Sequence, residues 1–371
     1  TRICYSFTVD SSCFVINRTF NSFEIRDINQ RILDPLKFDF PEIKDNMPPF
    51  LKSIAFVTLD SKARINGAFG RYEFDVIKVD GKFLVDGNIL ALARAAFPNG
   101  LWWIKDRANS NNWQLACSQY DVEPTDNIIR TNTNGYVPYI APAGNSVAYC
   151  WDLSDPAQTG VEFISDTGTG VQRTVAHNTG RVPGMIWAFN IGVPASNNVW
   201  VYHRGHGPRG AFNLSNSSAP DNRNIFWGGV DPTETEFTVG TSGSVNPNGP
   251  VYYWVFADVP GFSAFGSYQG NGSEDGPFIY TGHSVAWLMV KQIDGNNNWI
   301  IQDSTRSPSN PCISILQCDV TAAEESQPGF ADIDFLSNGF KIRNSWSKYN
   351  TGTYIYAAFA ENPFQSPATA R

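Results

Sequence analysis

The stretch VAWLMVKQ (285–292), the polar turn DGNNN (294–298) and WIIQDSTR (299–306) reads as two strands joined by a tight loop. Apolar side chains run through both halves, and Gly, Asn and Asp bound them, which is a strand signal and not a helical one. A third strand closes the segment, TYIYAAFAEN (353–362). In it Tyr354, Tyr356, Ala358 and Ala360 share one face, and Ile355, Ala357 and Phe359 share the other. Both faces are apolar, so this strand is expected to be central and covered on both sides. Between the hairpin and the closing strand, Asn338-Gly339 separates IDFLS from FKIR, a two-residue hairpin signal.

The same order of features recurs twice upstream. GMIWAFNI (184–191) and VWVYHRG (199–205) are followed by VYYWVFADVP (251–260). GLWWIKDR (100–107) and WQLACS (113–118) are followed by VAYCWDLS (147–154). Trp113, Trp200 and Trp299 are expected to open equivalent strands, and FGRYEFDV (69–76) matches the start of FGSYQGNG (265–272). The pattern predicts an all-β chain of tandem antiparallel β-sandwich-like repeats at 67–160, 161–261 and 262–371. Residues 1–66 fall outside it and read as an irregular N-terminal arm or small anchoring domain. Two short helices are expected, at 88–97 and at 319–327, the second with a Thr321/Glu324 capping box.

Composition agrees. The 371 residues hold 17% charged and 14% aromatic side chains, with 31 Gly and 23 Pro, which excludes a coiled coil and a disordered chain. A net charge of −8 without a basic stripe argues against nucleic acid as a partner. No run approaches a membrane span, so no membrane insertion is expected, and the N-terminal TRICYSFTVD carries no signal-peptide pattern. The six cysteines, Cys4, Cys13, Cys117, Cys150, Cys312 and Cys318, are irregularly spaced and read as small buried hydrophobes.

The run from GSYQGNGSEDGPFIYTG through AWLMVKQ, DSTRSPSNP and IDFLSNGFKIR to GTYIYAAFAENPF resembles a domain of unknown function found repeatedly in bacteriophage tail fibre and other virion structural proteins. The likeness is close over 263–364, looser through GTGVQRTVAHNTGRVPGMIW, and rests mainly on FPNGLWWIKDR in the first segment. It implies a non-enzymatic virion protein, first a tail fibre or host-surface adhesin and second a head decoration protein or capsid fibre. A carbohydrate-active enzyme or glycan-binding module is a further alternative. It implies other virion proteins as partners, a homo-oligomer (a trimer by analogy with fibres), and assembly into the virion in the host cytoplasm.

The residues suggest little chemistry. His203 and His206 form an i, i+3 pair without a third ligand nearby, and His177 and His283 precede core strands of two segments, a structural position. Acid pairs such as Glu234/Glu236 and Glu274/Asp275 carry no catalytic pattern, and Asp75, Asp80 and Asp86 form no calcium loop. No catalytic, cofactor or metal residue is assigned. Trp103, Trp187, Trp254 and Trp287 sit in apolar runs and read as core. Trp227, Trp346 and Tyr349 sit among polar turn residues: the first expectation is that such loop aromatics pack on the next domain or subunit, and the alternative makes them the candidate contacts for a receptor or glycan, through stacking on sugar faces.

Overall fold

The computed structural model describes residues 99–119, 147–191 and 198–360 in full, and elsewhere only the backbone of strands within 6–33, 62–75 and 127–146. The first expected helix, 88–97, therefore lies outside the described residues, as do Asp80 and Asp86. The chain forms two compact units, Thr1–Ile54 and Ala55–Arg371.

In the smaller unit, β1 (Ser6–Val9), β2 (Ser12–Thr19), β3 (Ser22–Arg26) and β4 (Ile32–Leu33) make one antiparallel sheet in that order. The larger unit is almost all β and contains three lobes. The first lobe is a seven-stranded sheet, made of β5 (Lys62–Gly67), β6 (Gly70–Asp75), β7 (Gly100–Asp106), β8 (Gln114–Cys117), β9 (Asn127–Arg130), β10 (Tyr136–Pro138) and β11 (Ser146–Asp152), ordered β10-β9-β8-β7-β11-β5-β6. A one-turn helix, α1 (Pro156–Thr159), capped by Asp155, leads into the second lobe. That lobe has β12 (Val161–Thr169), β13 (Arg173–Ala176), β14 (Pro183–Asn190), β15 (Trp200–His203), β16 (Phe212–Asn213), β17 (Glu236–Val239) and β18 (Asn248–Ala257). They form a main sheet β12-β18-β14-β15-β16 and a two-stranded sheet β13-β17. The third lobe holds β19 (Ser263–Gln269), β20 (Phe278–Tyr280), β21 (Val285–Gln292), β22 (Ile300–Asp303), β23 (Ser314–Gln317), β24 (Glu325–Ser326), β25 (Ile333–Leu336), β26 (Gly339–Ile342) and β27 (Thr353–Ala360). Its main sheet runs β19-β27-β21-β22-β23-β24, beside a smaller β20-β26-β25 sheet.

The three main sheets superimpose by register. Trp103 lies between Leu115 and Tyr149, Trp187 between Val201 and Trp254, and Met289 between Ile301 and Ala357. Two residues back along the first hairpin strand, Leu101, Met185 and Trp287 face Trp151, Phe256 and Phe359. All of these side chains enter one shared core. Trp151 packs edge-on against Phe256 and Phe359, each at 5.8 Å, so equivalent residues of the three closing strands meet at its centre. The opposite faces of the second and third main sheets pack separately against their smaller sheets, through Ile186, Tyr253 and Phe237 in one case and Leu288, Tyr356 and Phe340 in the other. The closing strand is thus covered on both faces: Ile355, Ala357 and Phe359 turn to the shared core, and Tyr354, Tyr356 and Ala358 to the outer one. Ala360, beyond an irregularity in the register at 285–287, turns to the shared core as well.

Four local expectations are corrected. Val199, not Trp200, occupies the position of Trp113 and Trp299; Trp200 is one residue further along, so it faces the outer core, as a period of two requires. The turn of the β25–β26 hairpin is Ser337-Asn338, because Gly339 already pairs with Leu336. Gly339 is needed for another reason: a Cβ there would collide with the Ile279 carbonyl oxygen of the neighbouring strand. The strand beside β11, on the side away from β7, is β5, running parallel, and GRYEFD (70–75) forms β6 outside it, unlike β19 beside β27. Residues 319–327 form no helix. Their backbone is held across to the first lobe, with Glu324 N–H donating to the Arg107 carbonyl, and the Glu324 side chain is taken by arginines instead of capping.

Candidate functional site

Charged side chains are scarce, and several are buried where lobes meet. Lys105 and Lys291 occupy the same register in β7 and β21, both wholly buried. Each ammonium group donates to the carbonyl six residues on, Asn111 or Asn297, and so pins the Asn-rich turn of its own hairpin. Each also crosses to the next lobe: Lys105 donates to the Thr321 carbonyl and Lys291 to the Ser217 carbonyl, both at 2.9 Å. The neighbouring indoles repeat the pattern, Trp113 Nε1 donating to the Gln317 carbonyl and Trp299 Nε1 to the Asn213 carbonyl. Gln317 and Asn213 are themselves equivalent by register. Burial pushes both lysines down to about 8. The second lobe carries Phe189 in the lysine position.

The third lobe adds an ion network against the first. Asp303 and Arg306 have wholly buried side chains and pair with each other. The Tyr149 hydroxyl donates to Asp303 at 2.9 Å, and Glu324 bridges Arg306 to Arg107, accepting two bonds of 2.7 Å from the latter. Burial alone would raise the Asp303 carboxyl, but the Arg306 guanidinium overrides it and holds the pKa below the usual range. Desolvation pushes the Tyr149 phenol well up, so it stays a donor. These groups have the perturbed ionisation expected at an active site. Their partners are one another, however, and they lie inside a seam.

His177, His203 and His206 are likewise engaged, whereas the ring nitrogens of buried His283 have no hydrogen-bond partner. His177 contacts the Thr233 carbonyl and the Thr179 hydroxyl. His203 Nε2 lies 2.9 Å from the Tyr356 carbonyl of the third lobe, and burial pushes its pKa down to about 3. His206 faces Asn222 instead, so the two imidazoles of the i, i+3 pair serve different partners. Burial also pushes His283 down, to about 4. Among the described residues no group of three His, Cys, Asp or Glu is placed to hold a metal. Cys117, Cys150, Cys312 and Cys318 are free and buried. Glu234, Glu236, Glu274 and Asp275 sit on exposed segments, Asp275 pairing with Lys341.

The expected contact residues are not brought together on a surface. Trp103, Trp187, Trp254 and Trp287 are core, as expected. Trp227 is only 1% exposed, packed edge-on to Tyr202 in the second lobe's outer core. Tyr349 is 1% exposed, its hydroxyl donating to Gln302. Neither ring offers a face to a sugar, because the polar turns around them fold back over the outer cores. Trp346 is half-buried, with the Lys348 ammonium 4.7 Å over its ring and Phe330 against its edge. Among the described residues, the large exposed aromatics are Phe278, Tyr280 and Phe330. The first two were legible only as period-2 alternation around inward Ile279 in β20.

This arrangement defines an all-β structural body of three sheets around one aromatic core. The family model of a domain of unknown function, DUF7483, matches residues 150–363, more than half of the chain, and the chain belongs to that family. The match takes in the second and third lobes together with the end of β11. Nothing matches among curated proteins or among solved structures.

Proposed function

We propose that the protein is a non-enzymatic structural component of a bacteriophage virion, a tail fibre or host-surface adhesin, with a head decoration protein as the second reading. The resemblance of 263–364 to virion proteins supplies the phage setting. The observation that carries the structural role is the use made of buried charge. Lys105, Lys291, Asp303 and Glu324 all bond across lobe boundaries, where they resist displacement of one lobe against another, and Arg306 holds Asp303 and Glu324 from within the third lobe. A catalyst would direct such groups at an open cleft; here they act as cross-links. Exposed Phe278, Tyr280 and Phe330 and half-buried Trp346 leave the third lobe an aromatic surface for a virion neighbour or a host glycan. Labelled antibody on purified virions tests the reading. Label on the tail supports the adhesin, label on the head supports decoration, and no label on the particle refutes both. Trp346→Ala, compared with wild type in host-cell binding, separates receptor contact from contact between virion proteins.

A further inference from the structure

Two of the seams between lobes follow one rule, in which the outer part of one main sheet lies against the hairpin and closing strand of the next. The third lobe meets the first through Gln317 and Thr321 against Trp113 and Lys105. The second meets the third through Asn213 and Ser217 against Trp299 and Lys291. The first meets the second in the shared core, through Trp103 on Trp187 at 5.1 Å and Trp151 on Phe256 at 5.8 Å, and the Cys117 thiol lies beside the Trp254 indole, at the register of Asp303 and Tyr149. Third on first, second on third, first on second is a closed cycle.

A ring of three identical chains about a threefold axis has this connectivity, but three identical seams. Here the seams differ at one register position, held by Cys117, His203 and Asp303. Asp303 accepts from the Tyr149 hydroxyl, and His203 faces the Tyr356 carbonyl. In a ring of identical third lobes, Asp303 would face Ala357, the register equivalent of Tyr149, and lose its donor. The lobes are therefore not interchangeable, and the seam surfaces are used up within the chain.

We propose that Ala55–Arg371 is a closed single-chain pseudo-trimer, and that the partner it fits is a threefold-symmetric protein site filled by one copy of this chain instead of three. The partner half rests on the virion reading above; ring closure does not. Closure is tested in the full chain with Arg107→Cys plus Glu324→Cys. The backbone bond from Glu324 N–H to the Arg107 carbonyl brings the two main chains side by side, and a disulfide spans a Cα separation of roughly 4.4–6.8 Å. On a non-reducing denaturing gel, with R107C and E324C alone as controls, the double variant is expected to run as a single chain of altered mobility that reduction restores. Disulfide-linked dimers or trimers absent from the controls would overturn closure, and so would no cross-link at all. Copy number per threefold site on purified virions tests the partner: one supports it and three overturns it. Absence from virions would remove the virion reading and the partner with it, while the gel decides closure independently.

Discussion

The seam between the first and third lobes and the seam between the third and second share a backbone plan and differ in chemistry. Both carry a buried lysine and an indole N–H donating to equivalent carbonyls. Only the first adds the Tyr149–Asp303–Arg306–Glu324–Arg107 network. The second relies instead on close approach, with Phe265 lying where a Cβ on Gly184 would stand, and on neutral His203 against a carbonyl. The lesson is that sheet register sets where lobes touch, and side-chain chemistry decides which lobes may touch. A buried ion network adds little net stability over an apolar seam, but removing one member leaves an uncompensated charge. Its contribution is to make wrong pairings costly.

The largest effect should come from Arg306→Ala, which strands Asp303 in the first-to-third seam. It is expected to cost about 3–5 kcal/mol in denaturant unfolding. A cost below ~1 kcal/mol would mean that the network contributes little to that seam. Next, Lys105→Ala and Lys291→Ala should each cost about 1–3 kcal/mol by leaving buried carbonyls unpaired. Similar values would sharpen the equivalence of the two seams, and a negligible cost for one alone would break it. Asp319 offers a pH test. Burial raises its carboxyl to about 6, against only a partial set of partners that includes Asn298. Its folded pKa lies above its unfolded value, so its contribution is most favourable below about pH 4 and is lost as pH rises through 6. Asp319→Asn should therefore raise the melting temperature at pH 8, by the equivalent of about 3 kcal/mol, and leave it nearly unchanged at pH 4. An equal shift at both pH values would point to packing instead. Smallest, Trp113→Phe and Trp299→Phe each remove one indole donor and should cost about 1 kcal/mol, measured by thermal unfolding.

Much of this architecture was readable from the chain. Alternating apolar residues bounded by Gly and Asn mark strands wherever they occur, so the hairpins at 100–118, 184–205 and 285–306 and the two-faced closing strand are legible. The correspondence of Lys105 with Lys291 and of Trp113 with Trp299 is legible too, because equal spacing puts equal residues at equal register. The placement of Trp200 was not, since a slip of one residue turns a side chain to the opposite face, and an aromatic residue satisfies either face. The helix expected at 319–327 failed because capping signals are local, whereas Glu324 is recruited by Arg107, 217 residues away in sequence. The burial of Trp227 and Tyr349 is not legible for the same reason: a polar neighbourhood in sequence says where a turn is, and not what packs above it.

The sequence by itself determined an all-β chain with three recurring hairpin-and-closing-strand patterns, through periodicity and turn chemistry that act over a few residues. Only the tertiary structure decided that the three sheets turn their inner faces to a single core, and that several of the scarce charges are buried between lobes. Burial and ion pairing depend on which distant strands meet, and one-dimensional spacing does not carry that information.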